Sequence, residues 1–291
     1  MHVAILLCDP ARPTLGRATV ETLRNAWGGG DAVWLNPGIA AEFPLAVLPG
    51  NRWDVWHSLQ GIGIDLALVP ASGRRKRLLL ADMDSTMIRQ ECIDELAAEA
   101  GVGAHVAAIT ARAMNGELPF EGALRERVAL LKGLPETVIE QVFANRITMM
   151  PGGRTLVATM RAHGARAALV SGGFTAFTAR VAATLGFDEH RANTLQIADG
   201  HLTGAVAEPI LGRAAKVQAL EEITARLGVT PDDAIAVGDG ANDLGMLHAA
   251  GMGVALHAKP VVQAECDLRI NHGDLTALLY LQGYSAGDFA A

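Results

Sequence analysis

Disulfide chemistry has little to work with in this chain. Its three cysteines, Cys8, Cys92 and Cys266, are odd in number, far apart and never arranged as Cys-x-x-Cys. That spacing excludes a disulfide framework and a thiolate zinc site, and it points to reduced thiols in a cytoplasmic protein. His-Glu-x-x-His is absent and the nine histidines are scattered, which excludes the zinc-hydrolase helix. His105, His163, His248 and His257 have no evident partner and are expected to be structural. No apolar run reaches the roughly 20 residues that a membrane span needs. The stretch His2 to Cys8 is apolar but short, lacks a basic flank and stops at Asp9-Pro10, so it reads as a strand and not as a signal peptide. Positive charge is also short. A net charge of −7 argues against a general nucleic-acid binder, which would need a basic face. The basic run Arg74-Arg75-Lys76-Arg77 is expected to be a solvated linker. No internal repeat is visible.

What is present is an ordinary globular composition, with 50% hydrophobic and 19% charged residues over 291 positions, enough for one large or two modest domains. The chain is organised around Leu78-Leu79-Leu80-Ala81-Asp82-Met83-Asp84-Ser85-Thr86. An apolar strand runs into two aspartates one residue apart, where open α/β sheets place their chemistry. Residues i and i+2 of an extended chain share a side, so Asp82 and Asp84 can converge on one point. Asp-x-Asp alone is a common turn. Its weight comes from Ser171-Gly172-Gly173 after a second apolar run, Lys216 further on, and Gly238-Asp239-Gly240-Ala241-Asn242-Asp243 after a third.

Residues 1 to about 75 read as a βαββαβ unit, the ferredoxin-like α+β pattern. Strands are expected at Val3 to Cys8, Ala32 to Leu35, Phe43 to Leu48 and Leu66 to Val69, with helices at Ala18 to Trp27 and Trp53 to Leu59. From about 76 to 291, strands alternating with helices predict an α/β doubly wound parallel sheet. Four helical segments without a strand, from about 91 to 146, predict a helical cap inserted over the strand ends. Ser171-Gly172-Gly173 is expected as a turn between a strand and a helix, where exposed amides hold phosphate. Ala192 to Ile197 and Leu202 to Val206 predict a hairpin closed by Asp199-Gly200. The Ala/Gly/Ser-rich C-terminal end is expected to fray.

These motifs, in this order, resemble those of the haloacid dehalogenase superfamily. Glu91, Met114, Phe120 and Arg127 within the insert are similar to its phosphoserine phosphatase branch. Residues 1–75 resemble the ACT-like units that precede some members. The resemblance implies Mg²⁺-dependent hydrolysis of O-phospho-L-serine to L-serine and phosphate, the last step of serine biosynthesis, through an aspartyl-phosphate. It implies Asp82 as nucleophile and Asp84 as general acid and base. Asp82, the backbone carbonyl of Asp84 and Asp239 would hold Mg²⁺, with Asp243 more often outside the ligand set. Ser171, the Gly172 amide, Lys216 and Asn242 would meet the phosphate or substrate. Glu91 would pair with the substrate ammonium and Arg127 with its carboxylate, between apolar walls from Met114 and Phe120. The partner is then a small molecule, with no nucleic acid and no membrane. A homodimer through the N-terminal unit is expected on the same footing as amino-acid binding or plain packing there. Another small phosphate ester, a receiver-type signalling module and an inactive regulatory binder are the competing readings. The Asp82/Asp84 pair, the insert and Lys216 speak against the receiver, and the completeness of the motifs against decay.

Overall fold

The computed structural model describes residues 1–115 and 117–290. Gly116, which punctuates the expected helices of the insert, and the side chain of Met114, a predicted cleft wall, lie outside the described residues. No helix among the described residues is long and apolar enough to cross a membrane.

The N-terminal unit runs β1 (His2–Cys8), α1 (Arg17–Ala26), β2 (Val33–Asn36), β3 (Ala40–Leu45), α2 (Arg52–Gln60) and β4 (Ile64–Pro70). The antiparallel sheet has the order β2-β3-β1-β4, a ferredoxin-like arrangement. β1 is apolar at nearly every position because both its faces are covered. Ala4, Leu6 and Cys8 join the core beneath α1 and α2. Val3, Ile5 and Leu7 belong to the main core of the chain. β3 is displaced from the expected Phe43 to Leu48. Small, buried Ala40 and Ala41 extend its ladder opposite Leu7 and Leu6, while Val47 and Leu48 are exposed.

The second unit opens with β5 (Leu78–Ala81) and then inserts α3 (Cys92–Glu99), α4 (Gly103–Met114), α5 (Phe120–Ala129) and α6 (Thr137–Arg146). α3 buries Cys92, Ile93, Leu96 and Ala97, the one-sided spacing of an amphipathic helix. Next come α7 (Gly153–Ala162), β6 (Arg166–Phe174), α8 (Thr175–Leu185), β7 (Glu189–Asn193), β8 (Leu195–Ala198), β9 (His201–Val206) and α9 (Arg213–Leu227). β10 (Ala234–Gly238), α10 (Leu244–Ala249), β11 (Met252–Leu256), α11 (Pro260–Glu265), β12 (Leu268–Ile270) and α12 (Ala277–Leu281) complete it. The six-stranded sheet is parallel, in the order β12-β11-β10-β5-β6-β7. The chain winds outward on one side of β5 and later on the other. β5, β6 and β10 therefore flank the switch point, where the strand ends open a crevice.

Four expectations are corrected. Ser171-Gly172-Gly173 is not a turn before a helix, because β6 continues to Phe174. Between Val170, opposite Arg191, and Phe174, opposite Asn193, β6 advances four residues while β7 advances two. The three residues therefore form a bulge that lifts out of the ladder. The segment 192–197 divides between β7, which joins the large sheet, and β8, which pairs with β9. The hairpin turn itself is as expected, with Asp199 at φ 50° and Gly200 at φ 72°. Arg74 is not solvated. It pairs with Glu42 at 2.6 Å and donates to the carbonyls of Tyr280 and Leu281. The C-terminal end does not fray through Ala290. The Ala290 amide donates to Thr159 Oγ1 (2.9 Å), Phe289 lies against Tyr280, and Arg75 covers the ring of Tyr284.

The N-terminal unit is fastened to the second by a buried carboxylate. Asp65 on β4 accepts the backbone amides of Asn271 (2.9 Å), His272 (2.9 Å) and Gly273 (2.8 Å), just after β12. His257, expected without a partner, donates from Nε2 to the Gly273 carbonyl (2.8 Å). The hairpin β8–β9 leans on the insert. Gly133 donates to Leu202, Leu202 to Leu134, and Glu136 to Gly200, all through the backbone.

Candidate active site

Burial of both faces makes β5 and β10 short apolar runs, and each ends where its first carboxylate begins. Asp82 follows β5 and Asp239 follows β10. Asp82, Asp239 and Asp243 are 3%, 1% and 0% exposed. One carboxylate oxygen of each lies within 4.8 Å of the others. Among them sits Lys216 of α9, 1% exposed. Its Nζ is 2.7 Å from Asp82 Oδ1 and 2.5 Å from Asp243 Oδ1. Burial pulls the Lys216 amine down, but Asp243 and Asp82 outweigh it and hold it above its ordinary value.

The three acids are not equivalent. Asp243 Oδ2 accepts the amides of Asp239 (3.2 Å) and Gly240 (3.1 Å), and its Oδ1 is taken by Lys216. Both oxygens are thus committed to holding the turn after β10. Burial, then Asp82, push its carboxyl up to about 6 against the pull of Lys216. Asp239 is raised well above the carboxylate range by burial, Glu91, Asp243 and Asp82. Among the described residues its carboxylate accepts only from Thr86 Oγ1 (3.3 Å). Among the described residues, Lys216 is the one ammonium in contact with these three buried carboxylates, with Lys259 acting on Asp239 from further off. That surplus of negative charge, with oxygen donors only, fits a hard divalent cation.

Asp84 lies on the cleft side of the same loop. Its carboxyl is raised well above the ordinary range, first by burial and then by Glu91 and Asp82. It is held by the Cys92 amide (3.3 Å). A carboxyl kept protonated beside buried acids is suited to giving a proton.

The bulge on β6 supplies the opposite wall. Ser171 Oγ accepts the Gly173 amide (2.9 Å). Close approach explains both glycines. A Cβ on Gly172 would lie 2.6 Å from the Phe120 ring, and one on Gly173 would lie 2.6 Å from Asp84 Oδ2. Asn193, which sequence reasoning missed, ties this wall to α9. Its amide donates to the Gly172 carbonyl (2.9 Å) and the Leu211 carbonyl (3.2 Å), and its Oδ1 accepts the Leu211 amide (2.7 Å). No local signal marks it, since a lone Asn after the polar run Asp188-Glu189-His190-Arg191 reads as a solvated loop residue.

The insert covers these groups and leaves a cleft with about 520 Å³ of empty volume. Asp82, Asp84, Glu91, Arg127, Ser171, Gly172 and Asn242 all line it, with Phe120. Lys216 and Asp239 stand just behind, joined through Asp82 and Asp243. Glu91 accepts the Ser85 hydroxyl (2.6 Å). Burial pushes its carboxyl up to about 7, opposed by that bond. Arg127 is 5% exposed, and burial lowers its guanidinium against Glu91, Asp94 and Asp84. One cleft is therefore lined by the carboxyls of Asp82 and Asp84, with the Lys216 ammonium behind them, and by the acid Glu91 and the cation Arg127.

Residues 79–248 match a sequence model of the haloacid dehalogenase-like hydrolases. A curated relative, phosphoserine phosphatase of Streptomyces coelicolor, is 45% identical over 232 residues, covering 79% of this chain and 56% of its own. The chain thus spans about half the length of this relative. A solved hydrolase of the same family from Salmonella enterica serovar Typhi superposes with a TM-score of 0.84 at 32% identity, covering 97% of this chain and 98% of its own. A phospho-aspartyl intermediate analogue of phosphoserine phosphatase matches at TM-score 0.68 and 42% identity, over 71% of this chain and 98% of its own. With its motifs gathered at the switch point of a six-stranded parallel sheet, this chain belongs to the haloacid dehalogenase-like hydrolase family.

Proposed function

We propose that this chain is an Mg²⁺-dependent phosphoserine phosphatase that completes serine biosynthesis in the cytoplasm. Residues 1–75 would form its ACT-like unit and residues 76–291 its catalytic unit, with the cap at about 91–146. The observation that carries the reading is one cleft lined by the two aspartates Asp82 and Asp84 and also by the acid Glu91 and the cation Arg127. Phosphoserine bears an ammonium and a carboxylate beyond its phosphate, and these two charges match Glu91 and Arg127. The names of the relatives support the substrate, and three free, buried cysteines support a reducing compartment.

A carboxylate oxygen of Asp82 attacks phosphorus as the bond to the serine oxygen breaks. Asp84 gives its proton to that oxygen, so L-serine leaves as the neutral alcohol. Asp84, now ionised, takes a proton from water, whose oxygen attacks the aspartyl-phosphate. Phosphate leaves and Asp82 is restored. Ser171 Oγ–H and the Gly172 amide hold phosphoryl oxygens, Lys216 balances their charge, and Asn242 orients the ester. Asp82, Asp239 and the Asp84 carbonyl would hold Mg²⁺, which supplies positive charge to the phosphoryl group when bound. Asp243 stays outside that set because both its oxygens are engaged.

The test is phosphate release from O-phospho-L-serine and from p-nitrophenyl phosphate, with Mg²⁺ or with a chelator, for wild type and Asp82→Asn. Metal-dependent release from phosphoserine that Asp82→Asn abolishes is expected. Release from the aryl ester alone would keep the chemistry and discard the substrate. Silence on both would overturn the reading.

A further inference from the structure

Arg127 does not face the cleft unsupported. Its Nε donates to the Ala123 carbonyl (3.0 Å) and its Nη1 to Thr110 Oγ1 (3.0 Å). Among the described residues it makes no other hydrogen bond. Thr110 in turn donates to Asp94 Oδ1 (2.6 Å), with the Val106 carbonyl a more distant alternative at 3.1 Å. The three side chains come from three successive helices of the insert: Asp94 from α3, Thr110 from α4 and Arg127 from α5. Thr110 and Arg127 are 3% and 5% exposed, so water does not compete for either.

A hydroxyl has one proton and two lone pairs. The short bond to a carboxylate is the stronger claim on that proton, so a lone pair is left facing Arg127. The interposed hydroxyl has a second consequence. Had Asp94 met Arg127 directly, a two-point pair would have consumed an edge of the guanidinium fork. Through Thr110, Asp94 steadies the cation with one N–H and leaves the rest of the fork for a ligand.

We infer that Thr110, oriented by Asp94, is the positioning residue that aims Arg127, and that this pair sets selectivity for phosphate esters carrying a carboxylate. The inference rests on the phosphoserine reading. It is tested with two substrates that differ only in that group, O-phospho-L-serine and O-phosphoethanolamine, on wild type, Thr110→Val, Thr110→Ser and Asp94→Asn. In Thr110→Val the kcat/KM ratio of phosphoserine to phosphoethanolamine falls about tenfold or more, as expected for a lost hydrogen bond to a charged group. The loss appears in KM for phosphoserine and not in kcat. Thr110→Ser restores the ratio. Asp94→Asn, which keeps an acceptor but not its charge, lowers the ratio severalfold, and it carries the test if the valine variant does not fold. A wild type indifferent to the carboxylate would refute the substrate reading and this inference with it. A wild-type preference that persists in Thr110→Val and Asp94→Asn, or an equal loss on both substrates, would overturn this inference alone.

Discussion

Replacing Lys216 with methionine removes the one ammonium among three buried carboxylates while nearly conserving volume. Lys216 Nζ contacts Asp82 at 2.7 Å and Asp243 at 2.5 Å, and the three side chains are 2%, 5% and 0% exposed. Breaking a buried pair by deleting one partner costs about 3–5 kcal/mol. At about 2–4 °C per kcal/mol for a chain of this size, the melting temperature falls by roughly 6–20 °C. The deficit also depends on pH. The folded-state carboxyl of Asp243 is already up at about 6. A group raised in the folded state stabilises fully below its unfolded value, and that stability is lost as pH rises through the folded value. Without Lys216 the folded value of Asp243 moves higher, so the variant goes on losing stability through Asp243 above pH 6, beyond the losses through Glu91, Asp84 and Asp239 that it shares with the wild type. Thermal melts in chelator at pH 5.5 and 8 read this directly. Lys216→Met should trail the wild type at both, and by more at pH 8. A deficit under about 3 °C, well short of what a broken buried pair costs, or an equal deficit at both pH values, would refute the account.

Glu91 gives a second pH signature. With its carboxyl pushed up to about 7, it becomes neutral as pH falls from 8 to 6, and under the proposed function it would then lose its hold on the substrate ammonium. KM for phosphoserine should rise over that window, while KM for phospholactate, which lacks the ammonium, should not. Glu91→Gln should remove the difference, and parallel profiles for the two esters would contradict the pairing. Asp65→Ala should destabilise the chain by about 3–5 kcal/mol, since it strips a charged acceptor from one buried and two partly buried amides at roughly 1.5–3 kcal/mol each before water recovers part. Urea denaturation measures it, and a loss under about 1 kcal/mol, below the cost of even one such bond, would mean that Asp65 does not fasten the two units.

The acids were legible because strand ends advertise themselves. Leu78 to Ala81 and Ala234 to Val237 are apolar runs that end at an aspartate or one glycine short of it, and a buried strand carries a carboxylate only where, as at Asp65, hydrogen bonds await it. Glu91 and Arg127 needed the family resemblance, since a charged helical residue otherwise reads as a solvated face. Thr110, Asp94 and Asn193 were illegible. Each acts through a partner 16 to 21 residues away, and a polar residue of a helix or loop carries no mark of which neighbour the fold will bring to it. The bulge at Ser171 to Gly173 was misplaced for a related reason. Gly-Gly signals backbone freedom, which a turn and a bulge use alike. The tail was misread from its small polar residues, although Tyr284 and Phe289 are the anchors that fix it.

The hairpin β8–β9 shares backbone hydrogen bonds with the insert at Gly133, Leu134 and Glu136, so the two form a single lid made from distant parts of the chain. That lid joins the sheet at two separate necks. One is at the single antiparallel bridge between Ile88 and Met149, and the other is where Asn193 and Leu211 meet. Between the necks the insert also rests on α8 through Arg180 with Glu140 and through the rings of Phe143 and Phe177, so any opening of the cleft has to part that seam, and the second neck is the same asparagine that braces the Gly172 wall.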